Sequence, residues 1–145
     1  MKTYKGLLTN MPANGIFVFG SNTQGRHGKG AALTAKLKFG AIYGQARGLQ
    51  GRSYAIVTKD LTKPVHPSIP KHEIIAEISV FYLYARTNPH KDYYVVYGVN
   101  VTNLSAYTPQ EMADMFSSSP IPDNIVFNDQ FAKLVKPTQN EIKFI

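Results

Sequence analysis

The chain has 145 residues, of which 43% are hydrophobic, and it carries a formal net charge of +7 and no cysteine. This length is typical of one domain with a substantial core, and the absence of cysteine excludes disulfides, a thiol nucleophile and zinc–cysteine sites. No apolar run approaches the ~20 residues of a membrane helix, and the first residues lack the apolar segment of a signal peptide. We therefore expect a single cytoplasmic domain without a membrane partner, whose positive charge favours acidic ligands or nucleic acid.

The strongest local pattern is a strand that leads through a glycine-rich loop into a helix. Residues 16–19 are β-branched and aromatic, and an edge strand is expected before them within residues 1–8. Residues 30–39 are rich in helix formers, and Gly40 is a natural helix stop. We predict that a ligand binds between strand and helix, at Gly20, Ser21, Asn22, Gly25, Arg26, His27, Gly28, Lys29 and Gly30.

Such a loop exposes backbone N–H groups at the positive end of the following helix, a favourable position for phosphate or another anion. An ordinary P-loop is not indicated, because Arg26 and His27 stand where Lys and Ser/Thr belong, and the dinucleotide-binding glycine spacing is absent. Taken alone, the glycines also fit a tight turn that lets the helix pack closely on the strand. The neighbouring basic residues and Asn22 favour the anionic ligand.

The rest of the chain predicts strands and helices in alternation. The expected order is a loop at 41–52, a strand at 53–58, an irregular connection at 61–70, a helix at 73–86, a strand at 92–99, a helix after Thr108, a strand at 124–127 and a helix at 129–135. We expect the strands at 53–58 and 92–99 to pair in parallel, because a helix separates them. Thr108, Pro109 and Glu111 have the spacing of a helix N-cap with a capping box.

Three residues follow the strand at 53–58 on the side where open α/β sheets bind ligands. These are Thr58, Lys59 and Asp60, and we predict that the first two contact the ligand. Asp60 could act as a base, or it could only cap the turn or pair with Lys59.

The run VFGSN followed by GRHGKGAAL resembles the first ligand-binding region of macro domains. The likeness is greater to a small macro-like family of bacteria and tailed phages, over residues 16–59, and it continues more weakly to AYTPQEMADMF at residues 106–116. The resemblance implies a three-layer α/β/α fold with a mixed sheet and an ADP-ribose-like nucleotide ligand. If the chain is phage-encoded, it would act in the host cytoplasm.

The resemblance also implies a second phosphate-binding loop at residues 99–107. In the relatives this loop is rich in glycine, whereas here no glycine follows Gly98. Side chains there would crowd a diphosphate, although Asn103 and Ser105 could replace lost N–H donors, and we predict that both contact the ligand. The pocket is either altered toward another nucleotide or decayed, and the sequence leaves both open.

Three residues are candidates for catalysis. By resemblance, Asn22 matches the macro-domain Asn that contacts the distal ribose and places the reacting group or its water. His27 could protonate a leaving group, and Asp60 could be the base. The alternatives are that Asn22 only caps the turn and that His27 only binds an anion. No metal-ligand spacing is present, so we expect neither a metal nor another cofactor.

Three functions remain in view. The leading one is binding of ADP-ribose or a related nucleotide, with or without metal-independent hydrolysis by an ADP-ribosyl hydrolase or ADP-ribose 1″-phosphate phosphatase reaction. The second is a non-catalytic protein that sequesters a nucleotide, as a phage would use. The third and weaker one, from the net charge, is nucleic-acid binding.

Overall fold

A computed structural model describes residues 1–8, 10–99 and 105–136 of the chain. Its strands are β1 (Lys2–Tyr4), β2 (Gly15–Asn22), β3 (Gly48–Gln50), β4 (Ser53–Lys59), β5 (Asp92–Val95) and β6 (Ile125–Asn128). Its helices are α1 (Gly30–Lys38), α2 (Lys71–Thr87), α3 (Pro109–Phe116) and α4 (Asp129–Ala132). The strands form one six-stranded sheet in the order β1-β6-β5-β2-β4-β3. All neighbours are parallel except β3, which is antiparallel to β4.

Strand β2 lies in the middle of the sheet and is buried on both faces. Its side chains alternate, so that Ile16 and Val18 join one core cluster while Phe17 and Phe19 join the other. Helices α2, α3 and α4 contribute to the first cluster, and α1 contributes Ala32 and Ala35 to the second. The sheet is therefore covered by helices on both faces, which confirms the predicted α/β fold class with a mixed sheet.

The predicted pairing of the strands β4 and β5 is wrong. Both strands are parallel, but each pairs with β2, which lies between them. Strand β2 has backbone ladders on both edges and is buried on both faces, as is typical of a central strand in a largely parallel sheet. The helix between β4 and β5 therefore crosses over an intervening strand.

Several predicted boundaries also change. The segment 41–52, predicted as a loop, contains the edge strand β3. Strand β5 stops at Val95 rather than running to residue 99, and the last helix ends at Ala132 rather than at residue 135. The predicted edge strand, the strand at 53–58, the helix at 73–86 and the irregular connection at 61–70 are confirmed, with ends shifted by a few residues.

Helix α3 begins with the predicted capping box. The Thr108 hydroxyl oxygen accepts from the Glu111 amide at 3.1 Å, and the Glu111 carboxylate accepts from the Thr108 amide at 2.9 Å. These bonds satisfy two donors that the start of a helix otherwise leaves unpaired. They fix the helix so that Met112, Met115 and Phe116 are buried, as predicted. Within the described part of the chain, no helix combines the length and apolar character needed to cross a membrane.

Replacing Thr108 with Ala should lower the free energy of unfolding by about 1 kcal/mol, because the N-cap acceptor is lost. Thr108→Ser keeps the hydroxyl and is the matched control, which should recover most of the difference. Urea unfolding of the three proteins measures the effect. Equal losses in the two variants would show that the hydroxyl does not stabilise the helix.

Candidate functional site

A cavity of about 410 Å³ lies at the carboxyl ends of the central strands. The last residues of β2 and β4, the first turn of α1 and the segment after β5 bound it. This is the side of an open α/β sheet where ligands bind. The volume falls within the ~300–1,000 Å³ of small-molecule sites.

Most of the residues predicted to bind a ligand line this cavity. From the strand β2 and the loop after it come Gly20, Ser21, Asn22, Arg26, Gly28, Lys29 and Gly30, and from elsewhere Thr58, Lys59 and Ser105. Gly25, His27 and Asp60 do not line it. The predicted ligand residue Asn103, with most of the glycine-poor second loop, lies outside the described residues.

A bulge at the ends of β2 and β4 shapes one wall of the cavity. Ser21 is level with Val57 and Asn22 is level with Lys59, so Thr58 has no partner on β2. An extra residue of this kind bends a strand and redirects its side chains, and bulges are frequent beside functional sites. Here Thr58, the unpaired residue, and Lys59, which follows it, both line the cavity.

The start of helix α1 faces the cavity without a cap. Its N-cap residue is Lys29, whose side chain makes no capping hydrogen bond, and its first turn holds no acidic residue. Gly30, Ala31 and Ala32 of that turn line the cavity. Uncapped first-turn amides and the positive end of the helix dipole together attract an anion.

Positive charge collects at the same place. Arg26 and Lys29 are exposed and Lys59 is half-buried, and all three line the cavity. The ion pairs found in the described residues lie elsewhere, at Lys2–Asp92, Arg47–Glu77 and Lys71–Glu111. Among the described lining residues there is no Asp or Glu. The cavity is therefore an electropositive hollow.

The side chain of Asn22 holds the turn that begins the glycine loop. Its Oδ1 accepts from the amides of Arg26 at 2.9 Å and Gln24 at 3.2 Å, and its Nδ2 donates to the Arg26 carbonyl at 2.9 Å. This is the turn-capping arrangement typical of Asn. Asn22 also lines the cavity, and one amide hydrogen remains for a ligand.

His27 lies inside the protein instead of at the cavity. Its ring is fully buried and packs edge-on against Phe19 at 5.2 Å. Its Nε2 lies 3.1 Å from the Gln45 carbonyl oxygen and 3.2 Å from Gln50 Oε1. Because both partners are acceptors, Nε2 carries the hydrogen. The proton transfer and anion binding predicted for His27 need access to a ligand, so we do not carry them forward.

Gly25 also has a structural position. Its φ is +64°, and an added Cβ would lie 2.6 Å from the carbonyl carbon of Gly44. Its carbonyl accepts from the Gly44 amide at 2.9 Å. A side chain here would be strained and would push apart two backbone segments. Gly25 thus positions the loop by close backbone contact, while its predicted ligand contact is replaced by this contact with Gly44.

Asp60 lies at a different hollow, on the side of helix α2. Its carboxylate accepts from the Thr62 hydroxyl at 2.6 Å and from the Thr62 amide at 2.9 Å. These bonds hold the pKa of Asp60 below its ordinary value. A weakened base that caps a turn outside the cavity has neither the position nor the basicity of a general base.

The apolar wall of the cavity and Tyr97 were not predicted from the sequence. Val96, Tyr97, Gly98, Pro109 and Phe131 line the cavity beside the polar loop. The position of Tyr97 after a central strand could have identified it, because Tyr97 and Thr58 both lie at the carboxyl ends of parallel strands, where ligands bind. It was overlooked because the strand β5 was predicted to continue to residue 99.

Comparison of the chain with protein-family models, curated proteins and solved structures finds no match. No group of three or more His, Asp or Glu side chains suited to a metal ion occurs in residues 1–8, 10–99 and 105–136. The candidate site is therefore defined by its geometry alone. It is an electropositive cavity at the carboxyl ends of the central strands, with an uncapped helix start on one side and an apolar wall on the other.

Substitution by alanine should affect the free energy of unfolding differently at two glycines of the loop. Gly25→Ala should lower the free energy of unfolding by about 1–3 kcal/mol, from backbone strain and overpacking. Gly28→Ala is the matched control, since nothing lies within 4 Å of an added Cβ and its φ is not positive. Thermal unfolding of both variants measures the difference. An equal response would contradict the close contact between Gly25 and Gly44.

Proposed function

We propose that this protein binds ADP-ribose or a related nucleotide in the cavity, with the phosphates at the start of helix α1. The observation that supports this proposal is that three cations line the cavity beside an uncapped helix start. No Asp or Glu is among the described residues that line it. A diphosphate brings two or more negative charges, which this arrangement neutralises through charge-assisted hydrogen bonds.

The rest of the cavity suits a nucleoside. Its wall of Val96, Pro109 and Phe131 offers apolar surface to a sugar or a base. Binding sites for small molecules commonly combine such a wall with a few polar groups that fix orientation. The choice of ADP-ribose among nucleotides rests on the resemblance of the run VFGSN…GRHGKGAAL to macro domains.

Among the described lining residues there is no His, Asp or Glu. General acid–base hydrolysis draws most often on these side chains, and the two candidates with such chemistry, His27 and Asp60, lie away from the cavity. This observation favours the second candidate function, in which the protein sequesters the nucleotide without altering it. Hydrolysis by positioning alone remains the enzymatic form of the proposal.

Lys29→Gln should weaken ADP-ribose binding about fivefold to twentyfold, because a cation beside the phosphates is lost. Lys38→Gln is the matched control, since Lys38 is an exposed cation in the last turn of the same helix. Calorimetric titration of both variants and the parent measures the affinities. The binding constant of the parent should also fall as salt is raised.

Two results would contradict the proposal. One is the absence of ADP-ribose binding by the parent protein at millimolar ligand. The other is an equal loss in the Lys29 and Lys38 variants, which would mean that only the overall charge matters and not the cavity.

The fate of the ligand separates the two forms of the proposal. ADP-ribose and ADP-ribose 1″-phosphate are incubated with the protein, the protein is denatured, and the released nucleotide is analysed by chromatography. Sequestration predicts that both return unchanged. A changed nucleotide would identify an enzyme and show that the lining residues suffice for catalysis.

A further inference from the structure

The first part of the chain carries cations without acids. Residues 1–59 contain nine Lys and Arg residues and neither Asp nor Glu, whereas all nine acidic residues lie from position 60 onward. The fold separates the helices of the two parts, because α1 packs on one face of the sheet while α2, α3 and α4 pack on the other. The face that α1 covers is therefore basic.

Four exposed cations lie along α1 and in the loop before it. Arg26 and Lys29 precede the helix, and Lys36 and Lys38 belong to its last turn. None of the ion pairs of the described residues involves any of the four. A row of cations without intervening carboxylates attracts an anionic partner that is long enough to contact several of them.

Tyr43 is an exposed aromatic side chain beside these cations. Its exposed fraction is 58%, and among the Phe and Tyr residues that the structure describes it alone is exposed. The Lys36 ammonium lies over its ring, 5.1 Å from the centroid. Attraction between the cation and the ring favours this pairing. The two side chains thus present an aromatic surface and a positive charge together.

Backbone contacts place Tyr43 next to the glycine loop. The Gly44 amide donates to the Gly25 carbonyl at 2.9 Å. Tyr43 comes directly before Gly44, and Arg26 comes directly after Gly25. Lys36, Tyr43 and Arg26 therefore follow one another along the surface, and we call these three residues the basic strip. Arg26 lines the cavity, whereas Lys36 and Tyr43 do not.

An aromatic ring between two cations has the chemistry of a surface for single-stranded nucleic acid. Proteins that bind single strands stack the bases on aromatic side chains and place cations beside the phosphates. Every base has a π-face, so such binding tolerates many sequences. In a duplex the neighbouring base pairs cover these faces, and an exposed ring has little to stack on.

We propose that the basic strip binds single-stranded nucleic acid, with one base stacked on Tyr43 and the adjacent phosphates beside Lys36 and Arg26. This inference goes beyond the proposed function and does not depend on it, because Tyr43 and Lys36 lie outside the cavity. Few phosphates are contacted, so the affinity is modest and falls as salt is raised.

The stacking is tested with a fluorescent oligothymidylate of about 12 nucleotides, within the usual site sizes of single-strand-binding proteins. Tyr43→Ala should weaken binding about tenfold, because a base loses its stacking surface. Tyr43→Phe keeps the ring and should bind within about twofold of the parent. Leu83→Ala is the matched control, since it removes an exposed apolar side chain from α2 on the other face. Fluorescence anisotropy measures the affinities, and thermal unfolding checks that each variant is folded.

The phosphate contact is tested through the dependence on salt between about 50 and 200 mM. Lys36→Gln should weaken binding severalfold and reduce the slope of log K against log salt by about 0.7, the value for one phosphate of a single strand. Lys136→Gln should change neither. It is the matched control because Lys136 is exposed and its amide donates to Ser117 at the end of α3, on the other face.

Several results would overturn the inference. These are no binding of the oligonucleotide by the parent at low salt, unchanged binding by Tyr43→Ala, and equal losses in the Lys36 and Lys136 variants. Tighter binding to a duplex of the same length would show that charge acts without stacking. Binding to vesicles of phosphatidylserine and phosphatidylcholine, without binding to the oligonucleotide, would assign the strip to an anionic membrane surface.

ADP-ribose separates the strip from the cavity. Calorimetric titration should give Tyr43→Ala the same ADP-ribose affinity as the parent, since Tyr43 does not line the cavity. A loss of that affinity would assign Tyr43 to the ligand of the cavity and overturn the inference. If the parent binds the oligonucleotide through Tyr43 but does not bind ADP-ribose, the proposed function fails while the inference holds.

Discussion

The position of the glycine loop depends on a buried hydrogen-bond network around Gln50. Its Oε1 accepts from the Ile42 amide at 2.7 Å and lies 3.2 Å from His27 Nε2, and its Nε2 donates to the Gln45 carbonyl at 3.1 Å. The loop contributes few apolar side chains to the core, so packing alone would leave it free to move. The network ties it to residues 41–50, and the close contact of Gly25 with Gly44 depends on the same alignment. Buried networks of this kind favour one conformation, although the Nδ1 of His27 has no hydrogen-bond partner among the described residues.

The cavity follows from the order of the strands. The neighbouring strands β2 and β5 are parallel, so their carboxyl ends meet at one edge. After β2 the chain turns to α1 on one face of the sheet, and the helix that follows β5, α3, packs on the other face. The two connections diverge and leave a crevice between them, as at the switch points of other open α/β sheets. This explains why residues from distant parts of the chain, such as Ser21 and Tyr97, meet there.

The parts of the fold that could be predicted are those encoded by local pattern. The capping box at Thr108 and the apolar run of β2 need only neighbouring residues, and both were predicted. The order of the strands could not be read in this way, because β4 and β5 carry no local mark of the strand that lies between them. Helix α1 shows a similar limit: the leucines are the larger apolar residues, yet Leu37 is exposed and the small Ala32 and Ala35 pack against the sheet.

The same distinction between local and distant residues applies to the candidate site. The glycines and cations of the loop were predicted because backbone amides and positive charge have a known affinity for anions. The roles of His27 and Tyr97 depend on partners far along the chain. His27 looks like a titrating loop residue until Gln50, twenty-three positions later, is seen beside it. Tyr97 looks like a core aromatic until the fold places it against Gly20 and in the lining of the cavity.

The distribution of charge bears on whether the cavity binds or catalyses. Its described lining holds Arg26, Lys29 and Lys59 together with hydroxyls, and neither a carboxylate nor an imidazole. Such a set would stabilise the negative charge of the diphosphate that we propose as ligand. Uniform stabilisation increases affinity without accelerating a reaction, because only interactions that strengthen in the transition state lower the barrier. Under the proposed function, these cations account for affinity toward a diphosphate, whereas hydrolysis would also need a group that positions or activates water.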